Sequence, residues 1–310
     1  MTVASERDDL RTYYDRPVLK EPTWRFWIPS YFFVGGAAAG SSLLAAGADA
    51  IGDARLGRAA RVTALAAIGG GSVALVADLG RPERFHHMLR VFRPSSPMNV
   101  GSWLLAAYGP AVGVAALSNL TGRAPVLGRL ATWSAAALAP AIATYTGVLV
   151  ADTAVPAWHE ARTVMPALFA AGAAASAGGI AAAVVPDSAP ARRLAVGGVA
   201  AETALSSALE KLLPDDVGAA YTDGRAARLR RAAMRLSVAG AALCTGGVGT
   251  RGGRARRMRT RLGGVAIVLG AVAERFAVVE AGRASARDPR ATIGPQRRGI
   301  DGSVTGLAAP

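Results

Sequence analysis

Apolar residues in this 310-residue chain come in blocks. Reading the gaps between charges gives about eight stretches of roughly 17–24 residues, the length at which a helix rising about 1.5 Å per residue crosses a ~30 Å hydrocarbon core. They fall at 27–49, 59–78, 99–118, 130–151, 163–185, 193–209, 232–250 and 262–281. Lipid offers backbone N–H and C=O groups no partner, so such spans must be helices, and the period-2 alternation of a barrel strand is absent. The sixth and seventh are mostly Ala, Gly, Ser and Thr, which insert weakly and depend on neighbouring helices for burial. The expected fold is an all-α integral membrane protein, a bundle of about eight transmembrane helices in two four-helix groups. Eight spans use about half the chain, which leaves no room for a soluble domain. Residues 1–24 are expected as a polar tail, 25–283 as the transmembrane domain and 284–310 as a flexible tail.

The net charge of +14 does not point to nucleic acid, because the 33 arginines and 2 lysines sit almost wholly between the apolar blocks. There they suit anionic lipid headgroups or an acidic protein partner. With both tails on one side, that side carries 20 basic residues against 13 opposite, which favours cytoplasmic tails and a cell-membrane location. No short apolar run with a cleavage site follows the charged N-terminus, so a removable signal peptide is not expected. One cysteine, Cys244, leaves no internal disulfide and no cysteine-ligated cluster or zinc site in the chain. The only histidines, His86, His87 and His159, lie in loops, which disfavours a bis-histidine haem. Small residues recur at close-packing spacing: Gly36 and Gly40, Gly69 to Gly71, Gly178 and Gly179, and Gly246, Gly247 and Gly249. Tight helix packing accounts for them, since a nucleotide-binding glycine loop needs a strand before it.

The segment Asp78 to Trp103, DLGRPERFHHMLRVFRPSSPMNVGSW, is longer than a helix hairpin requires. Phe85, Met88, Leu89 and Phe92 at 3–4 residue spacing predict an amphipathic interfacial helix with arginines on its other face. Alternate threading of the spans gathers Trp27, Tyr31, Asp78, Asn99, Ser102, Trp103, Tyr145, Trp158 and His159 at one membrane face. Belt duty suits Trp24, Trp27 and Trp158. Asp78 and Tyr145 at span depth are costly unless they pair or serve a site. Glu202, midway along the sixth span, is the most isolated acidic residue, expected either as a neutral hydrogen-bonded carboxyl or in a proton route.

FFVGGAAAGSSLLA in the first span, DLGRPERFHHML followed by SPMNVGSW, and YTGVLVADTAVPAW running into MPALFAAGAAASAGG resemble the NrfD/PsrC family. That family comprises the membrane subunits of polysulfide-reductase-type molybdopterin oxidoreductases. The three blocks cover roughly the first 180 residues in the family's order. The resemblance implies an eight-helix subunit that binds menaquinone or ubiquinone near one membrane face. Electrons would pass between the quinone and a docked four-cluster ferredoxin-like iron–sulfur subunit, and on to a molybdopterin catalytic subunit. No haem and no iron–sulfur cluster is expected in this chain. Carried over, the tyrosine of the YTG motif is Tyr145, and the start of the first helix supplies Trp27 and Tyr31 where some relatives have Asn and His. Asp78 and Arg81 match the DLGRP block, and Asn99 falls in the SPM block. Asp78 and Glu202 are expected on the proton route, and Arg81, Arg84, Phe85 and Phe92 at the partner's docking face.

Physics independently suits a quinone at such a face, which needs one or two hydrogen-bond partners for the headgroup and an apolar slot for the tail. Two other classes compete. An eight-span transporter or channel predicts inverted repeats with broken helices, and the two halves share no motif. A purely structural membrane anchor predicts no polar cluster around Tyr145.

Overall fold

The computed structural model describes residues 19–24, 26–246 and 253–294. Most of the predicted N-terminal tail, residues 295–310 of the C-terminal one, Gly247, Gly249 and the end of the predicted seventh span lie outside the described residues. Eight long helices match the predicted spans one for one: α1 Trp27–Ala50, α2 Ala54–Asp78, α3 Pro97–Thr121, α4 Pro125–Ala151, α5 Met165–Val184, α6 Ala189–Leu212, α7 Gly224–Thr245 and α8 Gly253–Arg287. No strand occurs among the described residues. Among the described residues, six of these helices are long and apolar enough to cross a membrane, and α6 and α7 are not among them. α7 starts eight residues before its predicted span and α8 runs past both ends of its own, because arginine-rich turns continue the helix beyond the apolar window.

Local chemistry sets the ends. Asp53 accepts from Leu56 N–H at 2.9 Å and starts α2, while Ser96 and Ser188 cap α3 and α6. Prolines sit in the first turns of α3, α4, α5 and α6, where a missing N–H costs nothing. Gly122, at φ +69°, takes the left-handed step that ends α3.

Helices α1–α4 form one group and α5–α8 the other, with α5 packed against α1, α4, α6 and α8. Small residues permit this. A Cβ on Gly40 of α1 would stand 2.7 Å from that of Ala177, and one on Gly147 of α4 would stand 2.8 Å from the Met165 carbonyl. On α5 itself, a Cβ on Gly179 would come within 3.1 Å of the Gly264 carbonyl of α8. Gly69 and Gly70, by contrast, have nothing within 4 Å, so that part of the GGG run is not a contact.

Trp158 departs from the expected interfacial belt. The connector between α4 and α5 turns through a short helix, Pro156–His159, that carries this indole inward, where it is 1% exposed. Its Nε1–H donates to the Val278 carbonyl of α8 at 2.8 Å, and the ring lies over Gly282, where a Cβ would overlap it. Tyr221, on a second short helix at Asp215–Thr222, donates to the Ala157 carbonyl at 3.2 Å. Trp24 stacks on Trp158 with centroids 5.3 Å apart, and Glu21 accepts from Arg283 Nε at 2.7 Å and Arg287 Nε at 2.8 Å. The Arg287 hydrogen bond, with Arg283 beside it, holds the Glu21 carboxyl down to about 2. The segment before α1 is thus fastened to the end of α8.

Gly282→Ala is therefore expected to lower stability by about 1–3 kcal/mol through overpacking against a ring that a hydrogen bond holds in place. Gly70→Ala, facing open space, should be neutral or slightly stabilising. Unfolding of both variants under an SDS titration checks the contrast.

Candidate functional site

The threaded ends of α1–α4 meet at one face. Tyr31 lies four residues into α1 and Tyr145 six residues before the end of α4, so both rings sit about 6–9 Å along their helices from that end. Both belong to one continuous apolar cluster with Phe32, Ile68, Tyr108, Trp158 and Phe169. Gly71 of α2 seats Tyr31, with a Cβ there meeting the ring at 3.3 Å. Gly101 of α3 seats Tyr145, where a Cβ would overlap the ring.

Their hydroxyls are the unusual feature. Tyr31 Oη is buried with no hydrogen-bond partner, and the Tyr145 hydroxyl makes no hydrogen bond among the described residues. An orphaned buried hydroxyl costs about 1–3 kcal/mol. Tyr108, deeper in the same group, differs: its hydroxyl pairs with Ser42 Oγ at 2.7 Å.

The other expected site residues are placed differently. Trp27 is 42% exposed and turned out beside Phe26, and Asp78 is exposed at the last residue of α2. The Asn99 side chain holds the preceding loop: its Nδ2 donates to the Met88 and Val91 carbonyls at 2.9 Å, and its Oδ1 accepts from Arg93 N–H at 2.7 Å. Those bonds and Pro94 end the expected amphipathic helix before Phe92. It is a 3₁₀ helix, Pro82–Leu89, and the residue before a proline avoids helical backbone. Arg81, Arg84, Phe85 and Phe92 are exposed, and neither arginine forms an ion pair among the described residues. Phe92 meets Trp103 edge-on at 6.1 Å.

Glu202 is not isolated. Its Oε1 accepts from Arg275 NH2 of α8 at 3.3 Å, and the guanidinium lies 4.3 Å from the Phe169 ring centroid. Gly172 of α5 leaves room for the pair, since a Cβ would strike both groups. Glu274, Ser206 and Arg230 extend the cluster, with Arg230 donating to the Ser206 carbonyl at 2.7 Å and pairing with Glu210. A cavity of about 220 Å³ opens beside them, lined by Glu202, Glu274, Ser206, Tyr221 and Arg230. The sequence carried a signal for the pair: Glu202 and Arg275 are opposite charges at matching depth in two predicted spans. Among the described residues no three His, Cys, Asp or Glu side chains form a metal-binding group.

A helical bundle with six helices long and apolar enough to cross a membrane defines a multi-pass membrane protein. The family model described as polysulphide reductase, NrfD, matches residues 18–195, more than half the chain, and the protein belongs to that family. It is thereby a membrane subunit of the quinone-linked oxidoreductase type, a family whose members generally work with iron–sulfur and molybdopterin subunits. No curated protein matches the chain. The match contains Tyr31, Tyr145 and the loop, and ends before Glu202 and Arg275.

Proposed function

We propose that this chain binds a quinol or quinone, of the menaquinone or ubiquinone class, among α1–α4. Electrons then pass between it and a docked four-cluster iron–sulfur subunit of a molybdopterin oxidoreductase. The observation that carries this reading is the pair of tyrosine hydroxyls without a protein partner inside the segment matched by the family. The residues fit such a headgroup. Tyr145 and Tyr31 would hold its oxygens by hydrogen bonds, with the surrounding aromatic and aliphatic cluster excluding water. When bound, a quinol supplies two electrons and two protons on oxidation. Asp78, exposed at the end of α2, is suited to take a proton at the membrane surface. Glu202, set behind Tyr31 by the Phe169 and Phe32 rings, serves as a proton-carrying group toward the polar cavity it lines rather than through those rings. Trp27 borders the site from the lipid side, and Asn99 acts through the loop it holds.

The loop from Arg81 to Pro97 is proposed as the docking face, at the same end of α1–α4 as the tyrosines. Arg81 and Arg84 give orientation and on-rate through acidic groups on the partner. Phe85 and Phe92, 49% and 59% exposed, supply apolar contact. Cytoplasmic tails and a cell-membrane location complete the proposal.

Purifying the tagged chain with its partners should yield iron and molybdenum together with quinol-dependent turnover. In the variant with Phe85→Ala and Phe92→Ala, the iron should be lost from the preparation while this chain stays folded in the membrane. Retention of the whole complex would place docking elsewhere.

A further inference from the structure

At the opposite end of α1–α4, where the α1–α2 and α3–α4 turns meet, lies a cavity of about 590 Å³. Its polar lining comprises Asp49, Arg61, Ser118, Asn119 and Arg129, with Trp133 at the rim. Most of these groups are engaged. Buried Arg61 pairs with Asp49 and donates to Thr132 Oγ1 at 3.1 Å, and Ser118 donates to the Arg123 carbonyl at 2.7 Å. Arg129 and Asn119 are not: neither side chain forms a hydrogen bond or ion pair among the described residues. Arg61 and Asp49 cancel, so the lining carries one net positive charge, and its free donors are a guanidinium and an amide.

The surroundings select the form of anion. Leu117, Leu120, Val126, Leu130 and Trp133 point outward at the same helix ends, between 44% and 70% exposed. They make an apolar track beside a cationic hollow, with an indole at the level where a membrane interface favours one. We propose that this cavity binds the phosphate headgroup of an anionic phospholipid. Arg129 takes the phosphate oxygens, Asn119 donates its amide N–H, and the acyl chains lie along α3 and α4 over Leu117 and Leu130. Guanidinium suits phosphate because its fork can donate two parallel hydrogen bonds. Free phosphate shares the headgroup chemistry but gains nothing from the apolar track. The site lies at the far end of the bundle from Tyr31 and Tyr145 and does not depend on a quinone there.

Native mass spectrometry of the full chain in neutral detergent tests this, titrated separately with dioleoylphosphatidylglycerol, dioleoylphosphatidylcholine and inorganic phosphate. One phosphatidylglycerol should bind at least tenfold more tightly than phosphatidylcholine. Arg129→Gln should remove about tenfold of that affinity, the worth of a charge-assisted hydrogen bond. Arg129 and Asn119 are exposed, so neither Arg129→Gln nor Asn119→Ala disturbs the core, and unchanged helical circular dichroism verifies it. Equal affinity for the two lipids, or an Arg129→Gln protein that binds phosphatidylglycerol as the parent does, overturns the site. Displacement of the lipid by millimolar inorganic phosphate overturns the lipid as its occupant.

Discussion

Tyr145→Phe is expected to lower quinol-linked turnover of the assembled complex by ~10²–10⁴, the usual worth of a side chain that takes part in proton transfer. The substitution keeps the ring, and the ring is what packs over Gly101. Its hydroxyl makes no hydrogen bond among the described residues, so the fold loses nothing with it. Tyr31→Phe sharpens the contrast, because its hydroxyl is fully buried and unpartnered. Removing an unsatisfied buried group should raise the stability of the ligand-free protein by about 1 kcal/mol while weakening quinol binding. Opposite signs for stability and function mark a group kept for a ligand. Turnover unchanged by Tyr145→Phe would remove that residue from the site, and a stability loss in Tyr31→Phe would mean the hydroxyl serves the fold.

Arg275→Met should be the most damaging single change in the second half of the chain, at about 3–5 kcal/mol. Arg275 is 2% exposed, and its loss leaves the Glu202 carboxylate without its counter-charge, beside Glu274 in the same cluster. A buried charge left without its partner is costly. Removing both charges at once, as Glu202→Gln with Arg275→Met, should recover part of the loss, because no uncompensated charge is then left buried. Unfolding under SDS in mixed bicelles would show the order: parent, double variant, Arg275→Met. A double variant no more stable than the single one would mean that the pair is not the unit of stability. Glu202→Gln alone retains a hydrogen-bond acceptor for Arg275, so loss of proton-coupled turnover in an intact complex would separate proton carriage from structure.

The helices were legible in the sequence because a bilayer leaves the backbone so little choice: apolar length set the six strongest, and proline and serine starts set several of their ends. Side-chain partners were harder. That Tyr145 rests on Gly101, or Tyr31 on Gly71, depends on the rotation and register of one helix against the next. Hydropathy is blind to both. The belt expectation for Trp158 failed for a related reason, since the turn that carries it inward is defined by α8, more than a hundred residues later. Glu202 looked solitary only when each span was read alone. Asn99 drew notice as a polar group near the site, yet its three loop hydrogen bonds depend on the path of the segment after the short helix, which periodicity does not set.

The clasp of Glu21 on Arg283 and Arg287 joins residues up to 266 positions apart. During synthesis the first segment emerges long before α8, so Glu21 cannot make these bonds until α8 has been made. Trp158 waits too, for Val278 and Gly282. The seating of the segment before α1 and of the α4–α5 connector is thus deferred until α8 is in place, so the bundle closes last at the end where its first described residues lie.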